Sequence, residues 1–356
     1  MTELWNPLGT DGFEFVEYTA PSAEGIELLK QLFSKMGFAE VAKHKHKAVW
    51  LYRQGDISFI VNGDHSSQAD QFAKAHGTSV NAMAFRVKDV DKALAYAIKQ
   101  GAIVHPTQAG PMELNIPAIE GIGGALLYLV DRYGEHDIYE VDFDYYHDYQ
   151  QRLMKADKGL KNIDHLTHNV QMGNMDKWSD FYTRIANFRQ VKYFDIKGQL
   201  TGLKSRAMTS PCGKIRIPIN ESSDEHSQIA EYLKQYKGEG IQHIALSSDD
   251  IATTVAKLRE SEVIFMDTPD TYYELISKRI DRHDENVAML QHHKILIDSD
   301  EDGILLQIFT ETVIGPVFFE IIQRKGNEGF GEGNFQALFE SIELDQIRRG
   351  VLNAKA

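Results

Sequence analysis

The feature that most constrains this chain is a weak internal repeat, in which one order of short elements recurs through both halves. Gly12–Tyr18 alternates like a strand, and Ala23–Met36 carries apolar residues at helical spacing and stops at Gly37. Strand-like runs follow at Ala48–Arg53 and Ile57–Asn62. A second unit opens with a strand at Ser79–Val87 and continues with a helix over Asp89–Lys99 closed by Gly101; strands at Met112–Pro117 and Ala125–Arg132 complete it. The order returns with a strand at Asn162–Val170, a helix at Lys177–Ile185, and strands at Gln190–Asp195, Gly202–Met208 and Lys214–Asn220. A fourth unit has Gly240–Leu246, a helix over Asp249–Ser261, and strands at Ile304–Thr310 and Val317–Arg324. Four such units, two and two, predict a duplicated α+β architecture. The polar stretch Asp148–Lys161 divides it into domains over residues 1–150 and 151–356.

Length agrees, since 356 residues suit two domains of about 150 to 200 residues each. The 38 Lys and Arg against 52 Asp and Glu leave a formal charge of −14, which argues against nucleic acid or an anionic membrane as partner. Cys212 is the only cysteine, so no intrachain disulfide or Cys-rich metal site can form. The opening MTELWNPLGTDG has neither a basic region nor an apolar core, and the aliphatic run Gly121–Val130 is too short to span a bilayer. A cytoplasmic protein is the expectation. Past the last strand, the glycines between Gly326 and Asn334 lead into Phe335, Leu338, Phe339 and Ile342 at helical spacing. That segment reads as a C-terminal helix that caps the core or, hinged on its glycines, closes as a lid.

The two halves differ where chemistry would sit. Aligning the opening strands sets Phe15 opposite His165 and Ala82 opposite His243; aligning Arg132 with Arg324 sets Tyr128 opposite Glu320. Three metal-type residues stand together in one copy and are absent together from the other, which a folding requirement does not explain. Two imidazoles and one carboxylate on a single face of a metal leave positions open, the arrangement of non-haem Fe(II) sites. In strands, Thr167, Ala245 and Phe318 share the faces of His165, His243 and Glu320, respectively. The other histidines read as structural or solvated: His168 on the opposite face from His165, His292 and His293 in a polar connection, and His44 and His46 among lysines on an exposed surface.

Ile163–Val170, Gly240–His243, Leu305–Phe309, Gly315–Arg324 and Gly329–Phe335 resemble 4-hydroxyphenylpyruvate dioxygenases, and the likeness extends over nearly the whole chain. The resemblance implies the vicinal oxygen chelate fold, with βαβββ modules paired into open barrels, a metal-free first domain and a C-terminal lid helix. It implies one Fe(II) per chain on His165, His243 and Glu320. The implied substrates are 4-hydroxyphenylpyruvate and O2, and the products are homogentisate and CO2, through oxidative decarboxylation, ring hydroxylation and side-chain migration in tyrosine and phenylalanine catabolism. Gln242, Gln307, Phe309 and Phe335 match catalytic positions, the two phenylalanines as a sandwich for the ring. Ser205, Pro218, Asn220, Gln228, Phe318, Phe330, Asn334 and Leu338 match substrate-binding, wall or lid positions. A homo-oligomer, tetramer or dimer, is also implied.

Three other readings compete. A 4-hydroxymandelate synthase would share metal, substrate and first steps, but Phe335 and Pro218 favour attack on the ring. An extradiol catechol dioxygenase would need an acid–base histidine near the metal. A drug-sequestering binding protein of this fold would be shorter and without a complete triad.

Overall fold

The computed structural model describes residues 4–338 except 66, 107–108, 111–112, 198–201, 224–226, 281–282 and 335. Phe335, Phe339 and Ile342 of the expected C-terminal helix lie outside the described residues, whereas 332–334 and 336–338 are helical.

Each repeat unit is a βαβββ module. The first comprises β1 (Thr10–Thr19), α1 (Ala23–Lys35), β2 (Ala39–His44), β3 (Val49–Gln54) and β4 (Ile57–Asn62). Helix α2 (Gln68–His76) leads to the second: β5 (Ser79–Val87), α3 (Val90–Lys99), β6 (Val104–His105), β7 (Ala118–Glu120) and β8 (Leu126–Val130). A connection follows through α4 (Tyr139–Asp142), β9 (Phe143–Tyr145) and α5 (Tyr149–Ala156). The third module holds β10 (Leu160–Val170), α6 (Met175–Ala186), β11 (Arg189–Lys197), β12 (Gly202–Thr209) and β13 (Arg216–Ser222). After α7 (Gln228–Tyr236) come β14 (Gly240–Ser248), α8 (Ile251–Glu260), α9 (Asp270–Glu274), α10 (Ile276–Arg279), α11 (Val287–His293), β15 (Leu296–Ser299), β16 (Ile304–Phe309) and β17 (Phe318–Lys325).

The helices start where side chains satisfy the free backbone donors of the first turn. Ser22, Ser67, Asp89, Ser227 and Asp250 each accept from the N–H three residues on. Helix α6 ends on Asn187 in the left-handed region, φ 53°, a conformation its short polar side chain tolerates.

The strands form two sheets of one topology. The nine-stranded sheet runs β6-β7-β8-β5-β1-β4-β3-β2-β9 and the eight-stranded sheet β11-β12-β13-β10-β14-β17-β16-β15. Within each sheet the two modules meet through an antiparallel central pair, β1–β5 or β10–β14, flanked by parallel neighbours. The fold is the expected vicinal oxygen chelate arrangement of α+β modules.

Several expectations change. Of the expected strand Met112–Pro117, Met112 lies outside the described residues and 113–117 are not strand; pairing begins at Ala118, after Pro117, whose missing N–H cannot join a ladder. The charged run Lys43–Lys47 conceals β2, in which Lys43 faces outward and His44 is buried, its Nδ1 accepting from the N–H groups of His46 and Lys47. His44 is therefore not on an exposed surface, although His46 is. His292 and His293 close α11 instead of lying in a connection. His168 packs on the face of β10 covered by α6, with Nε2 2.6 Å from the Tyr182 hydroxyl.

One hydrophobic core joins residues of both halves, from Leu8 to Ala337. At its centre Phe319 of β17 meets Tyr18, Phe33 and Phe59, with ring centroids 6.4, 6.5 and 5.9 Å away. The first half thus packs directly behind the strand that carries Glu320.

Candidate metal centre

The registers of the two sheets can be compared residue by residue. In the first, Glu17 faces Ala82 and Ala84 faces Tyr128; in the second, Thr167 faces His243 and Ala245 faces Glu320. Because Phe15 and His165 each lie two residues before the first of those partners, the alignment of Phe15, Ala82 and Tyr128 with His165, His243 and Glu320 is a structural equivalence. Where the second sheet brings ligand-type groups together, the first fills the space with the rings of Phe15 and Tyr128, whose centroids lie 5.5 Å apart.

His165 and Glu320 flank Ala245 on neighbouring strands, so both side chains rise over a single methyl group. His243 joins them from one pair further along β14. His165 Nε2 lies 3.1 Å from Glu320 Oε2, His243 Nε2 lies 3.4 Å from the same oxygen, and the two nitrogens are 3.3 Å apart. Donors about 2.1 Å from a common cation would be separated by roughly 3 to 3.4 Å, depending on the coordination angle. Among the described residues this is the one cluster of three such groups.

The outer nitrogens explain why the inner ones converge. His165 Nδ1 donates to Asp164 Oδ1 at 2.8 Å, and His243 Nδ1 donates to Gln242 Oε1 at 3.1 Å. Those bonds leave the Nε2 lone pair of each neutral ring pointing at the carboxylate. Two lone pairs and an anion buried within hydrogen-bond distance repel one another unless a cation lies between them, so the donor set fits a metal ion. Thr167 adds its hydroxyl 2.9 Å from His243 Nε2.

Electrostatics agree with an ionised carboxylate. In the metal-free protein burial alone would raise Glu320, but the charge and hydrogen bonds that His165 and His243 supply when protonated, standing where a cation would, hold it down at about 2. Burial opposes protonation of His165, and the Glu320 and Asp164 carboxylates outweigh it, leaving that imidazole above its ordinary value. His243 is lowered by burial. Asp164 is buried too, yet Arg324 and His165 keep it well below the usual carboxylate range.

The other site residues of the sequence reading fall into groups. Gln242 orients His243, and Gln307 Nε2 donates to Glu320 Oε1 at 3.1 Å. Phe318 stacks on His243 at 4.9 Å, Phe309 stands edge-on to both, and Phe330 lies edge-on to His165 at 5.4 Å. Asn334 is buried and donates to Gln307 Oε1 at 2.9 Å, while Leu338 is half-buried against the core. Ser205, Pro218 and Asn220 share the β12–β13 pair, with Ser205 facing Asn220 and Ala207 facing Pro218. Asn220 in turn faces Asn169 of β10. Gln228 is exposed at the first position of α7, and none of the contacts described here joins it to the triad.

The sequence alone does not mark four contributors: Asp164, Arg324, Tyr272 and Arg279. Asp164 adjoins His165, and in a regular strand would point to the other face; an irregularity in the β10–β14 pairing between Ile163 and His165 lets it reach Nδ1. Arg324 served only to align the halves, and its pairing with Asp164 is tertiary. Tyr272 and Arg279 lie 62 and 55 residues from their contact Asn334 and have no local signature.

Comparison with known proteins accords with this geometry. The model of the hydroxyphenylpyruvate dioxygenase N-terminal family matches residues 4–144, and that of the glyoxalase/bleomycin resistance protein/dioxygenase superfamily matches residues 162–308. The chain is 66% identical over 355 residues to "Hemolysin VllY" of Vibrio vulnificus, with 99% of each chain covered. It is 61% identical over 352 residues to the 4-hydroxyphenylpyruvate dioxygenase of Pseudomonas aeruginosa, with 98% of each covered. Its fold matches that of a mutant 4-hydroxymandelate synthase from Streptomyces coelicolor with a TM-score of 0.81 at 23% identity, over 95% of this chain and 99% of that one. With two paired-module sheets, a ligand triad in one of them, and identity to a family member along almost the full length, the chain belongs to the 4-hydroxyphenylpyruvate dioxygenase family.

Proposed function

We propose that the protein is an Fe(II)-dependent dioxygenase that converts 4-hydroxyphenylpyruvate and O2 to homogentisate and CO2, a step of tyrosine and phenylalanine catabolism. The observation that carries this reading is the convergence of two Nε2 lone pairs and one carboxylate oxygen beneath an aromatic wall. When bound, Fe(II) supplies the Lewis-acid and redox chemistry that couples loss of CO2 from a 2-oxo acid to reduction of dioxygen. A substrate carrying its own 2-oxo acid needs no second reductant.

The chain's residues do the rest. His165, His243 and Glu320 hold the metal from one side, and Asp164 and Gln242 fix the imidazole tautomers so that Nε2 stays a lone-pair donor. Gln307 holds the second oxygen of Glu320, which leaves Oε2 as the oxygen that faces the imidazoles. Phe309, Phe318 and Phe330 enclose the open side with apolar surface, which excludes water from a reactive oxidant and offers faces to an aromatic ring. Ser205, Asn220, Gln228 and Gln242 are assigned to the polar ends of the substrate, Phe335 to the second face of the ring, and Pro218, Asn334 and Leu338 to the wall and lid. We assign residues 1–150 to the metal-free domain and 151–356 to the catalytic one.

Anaerobic loading with Fe(II) and 4-hydroxyphenylpyruvate, followed by admission of O2 and chromatography of the product against standards, tests the proposal. Homogentisate is the expected product. Hydroxymandelate is its isomer, so mass alone does not separate the two, and its appearance would replace ring hydroxylation by benzylic hydroxylation. No turnover with iron bound would overturn the assignment.

A further inference from the structure

Glu320 is the near end of a chain of side chains that leaves the metal centre and reaches a part of the fold found in one module only. Its Oε2 faces the two imidazoles, and its Oε1 accepts from Gln307 Nε2 at 3.1 Å. Gln307 Oε1 accepts from Asn334 Nδ2 at 2.9 Å. Asn334 Oδ1 accepts from the Tyr272 hydroxyl at 2.6 Å and from Arg279 Nη1 at 3.3 Å. Arg279 Nη2 donates both to the Tyr272 oxygen at 2.8 Å and to the Ile297 carbonyl at 2.9 Å. The Ile297 N–H donates to the Tyr272 oxygen, at 2.9 Å.

The direction of this chain is not arbitrary. An amide side chain can present either its oxygen or its nitrogen, and its neighbours decide which. Arginine has donors only. The Tyr272 oxygen accepts from Arg279 and from Ile297, so its own proton is left to give, and of its two acceptors Asn334 Oδ1 at 2.6 Å is nearer than the Ile297 carbonyl at 3.0 Å. Facing two donors, Asn334 turns its oxygen to them and its nitrogen to Gln307. Gln307 must then accept with Oε1 and donate with Nε2, and Glu320 meets a donor. Reversal of either amide would set oxygen against oxygen within a buried network, an arrangement costly in a medium of low dielectric. Gln307 and Asn334 are each 2% exposed, so water cannot relieve such a clash.

The sequence setting fits the same role. In the second module α3 is followed by β6 after only four intervening residues, Gln100 to Ile103. In the fourth module α9, α10 and α11 intervene between α8 and β15, and Tyr272 and Arg279 lie in that addition. The module without ligands lacks the addition, and the module that supplies His243 and Glu320 has it.

We propose that Arg279 and Tyr272 are positioning residues that set the polarity of the Asn334–Gln307 relay and thereby hold Glu320 in its ligating orientation. This rests on the reading of the triad as a metal site. The test uses the full-length chain stripped of metal and titrated anaerobically with Co(II), whose visible absorption reports both affinity and ligand geometry. Arg279→Met keeps an unbranched apolar stem and removes every donor. It should bind Co(II) about 10- to 100-fold more weakly than the wild type, with an altered visible spectrum. Tyr272→Phe removes only the hydroxyl and should move both readouts in the same direction, which keeps the test open if Arg279→Met does not fold. A purely structural role would lower the thermal midpoint of the metal-free protein and leave affinity and spectrum untouched; that outcome in both variants overturns the relay. A wild-type chain that binds no Co(II) would overturn the metal reading itself.

Discussion

Arg324 grips Asp164 through two parallel hydrogen bonds, Nε to Oδ2 and Nη2 to Oδ1, each 2.8 Å long. Asp164 passes that grip to the His165 imidazole, and Arg324 also donates to the carbonyls of Asn327 and Gly329 in the segment that leads to Phe330. One guanidinium therefore fixes both a metal-facing imidazole and the aromatic ring packed on it.

Replacing Asp164 by Asn should have two separable effects. Arg324, whose side chain is partly exposed, loses its charged partner, which should cost about 1 to 3 kcal/mol in urea unfolding. His165 loses a charged acceptor at Nδ1, and metal affinity should fall about 10- to 100-fold. Equilibrium titration of the folded variant with Fe(II) under nitrogen checks the second effect, and unchanged affinity would remove Asp164 from the site.

Ala245 separates His165 from Glu320 and is fully buried. A leucine there should fill the space over which the two side chains converge, abolishing metal binding at a stability cost of about 1 to 3 kcal/mol. Metal content after dialysis, with circular dichroism as the control for folding, gives the answer. Stoichiometric metal in Ala245→Leu would contradict the geometry described above.

His168 provides a pH prediction away from the metal. Burial lowers its pKa to about 3 from an ordinary 6.5. Between those values the unfolded chain binds a proton that the folded chain does not, so stability falls as pH drops from about 6.5 toward 3. The slope for one such group is about 1.4 kcal/mol per pH unit. His168→Gln should flatten the curve of unfolding free energy against pH by about one proton across this window. Parallel curves for variant and wild type would mean that His168 is not buried as a neutral ring.

Gly331 sits at φ 75°, and a Cβ added there would come 1.7 Å from Gln307 Oε1. Gly331→Ala should displace the Gln307 amide from Glu320 and weaken metal binding, beyond the roughly 1 kcal/mol of backbone strain. Competition with a chromogenic chelator measures this directly; wild-type affinity would show that the segment shifts without disturbing the glutamine.

Much of this fold is legible in the sequence because its strands alternate cleanly and its helices carry caps. The triad is legible because duplication supplies an internal control: Phe15, Ala82 and Tyr128 show what those positions need for folding alone. Other parts escape such reading. Strand β2 ends in the charged run that starts at Lys43, and α2 and α7 are only nine residues long, so their caps Ser67 and Ser227 and their buried faces are brief signals. Asp164 acts through an irregularity in strand pairing, and Arg279 through contacts far along the chain. Side-chain networks of that kind leave no periodic trace.

The packing of Phe319 against Tyr18, Phe33 and Phe59 gives the first copy a structural task. Phe319 and Glu320 are successive residues of one strand and so project to opposite faces. The first copy serves as an abutment, bracing from behind the strand whose front carries the carboxylate. A gene encoding residues 151–356 alone should therefore yield a chain with an unsupported aromatic face, insoluble or without a fixed core. Two copies of one topology thus divide the labour, one offering the triad and the other the support behind it.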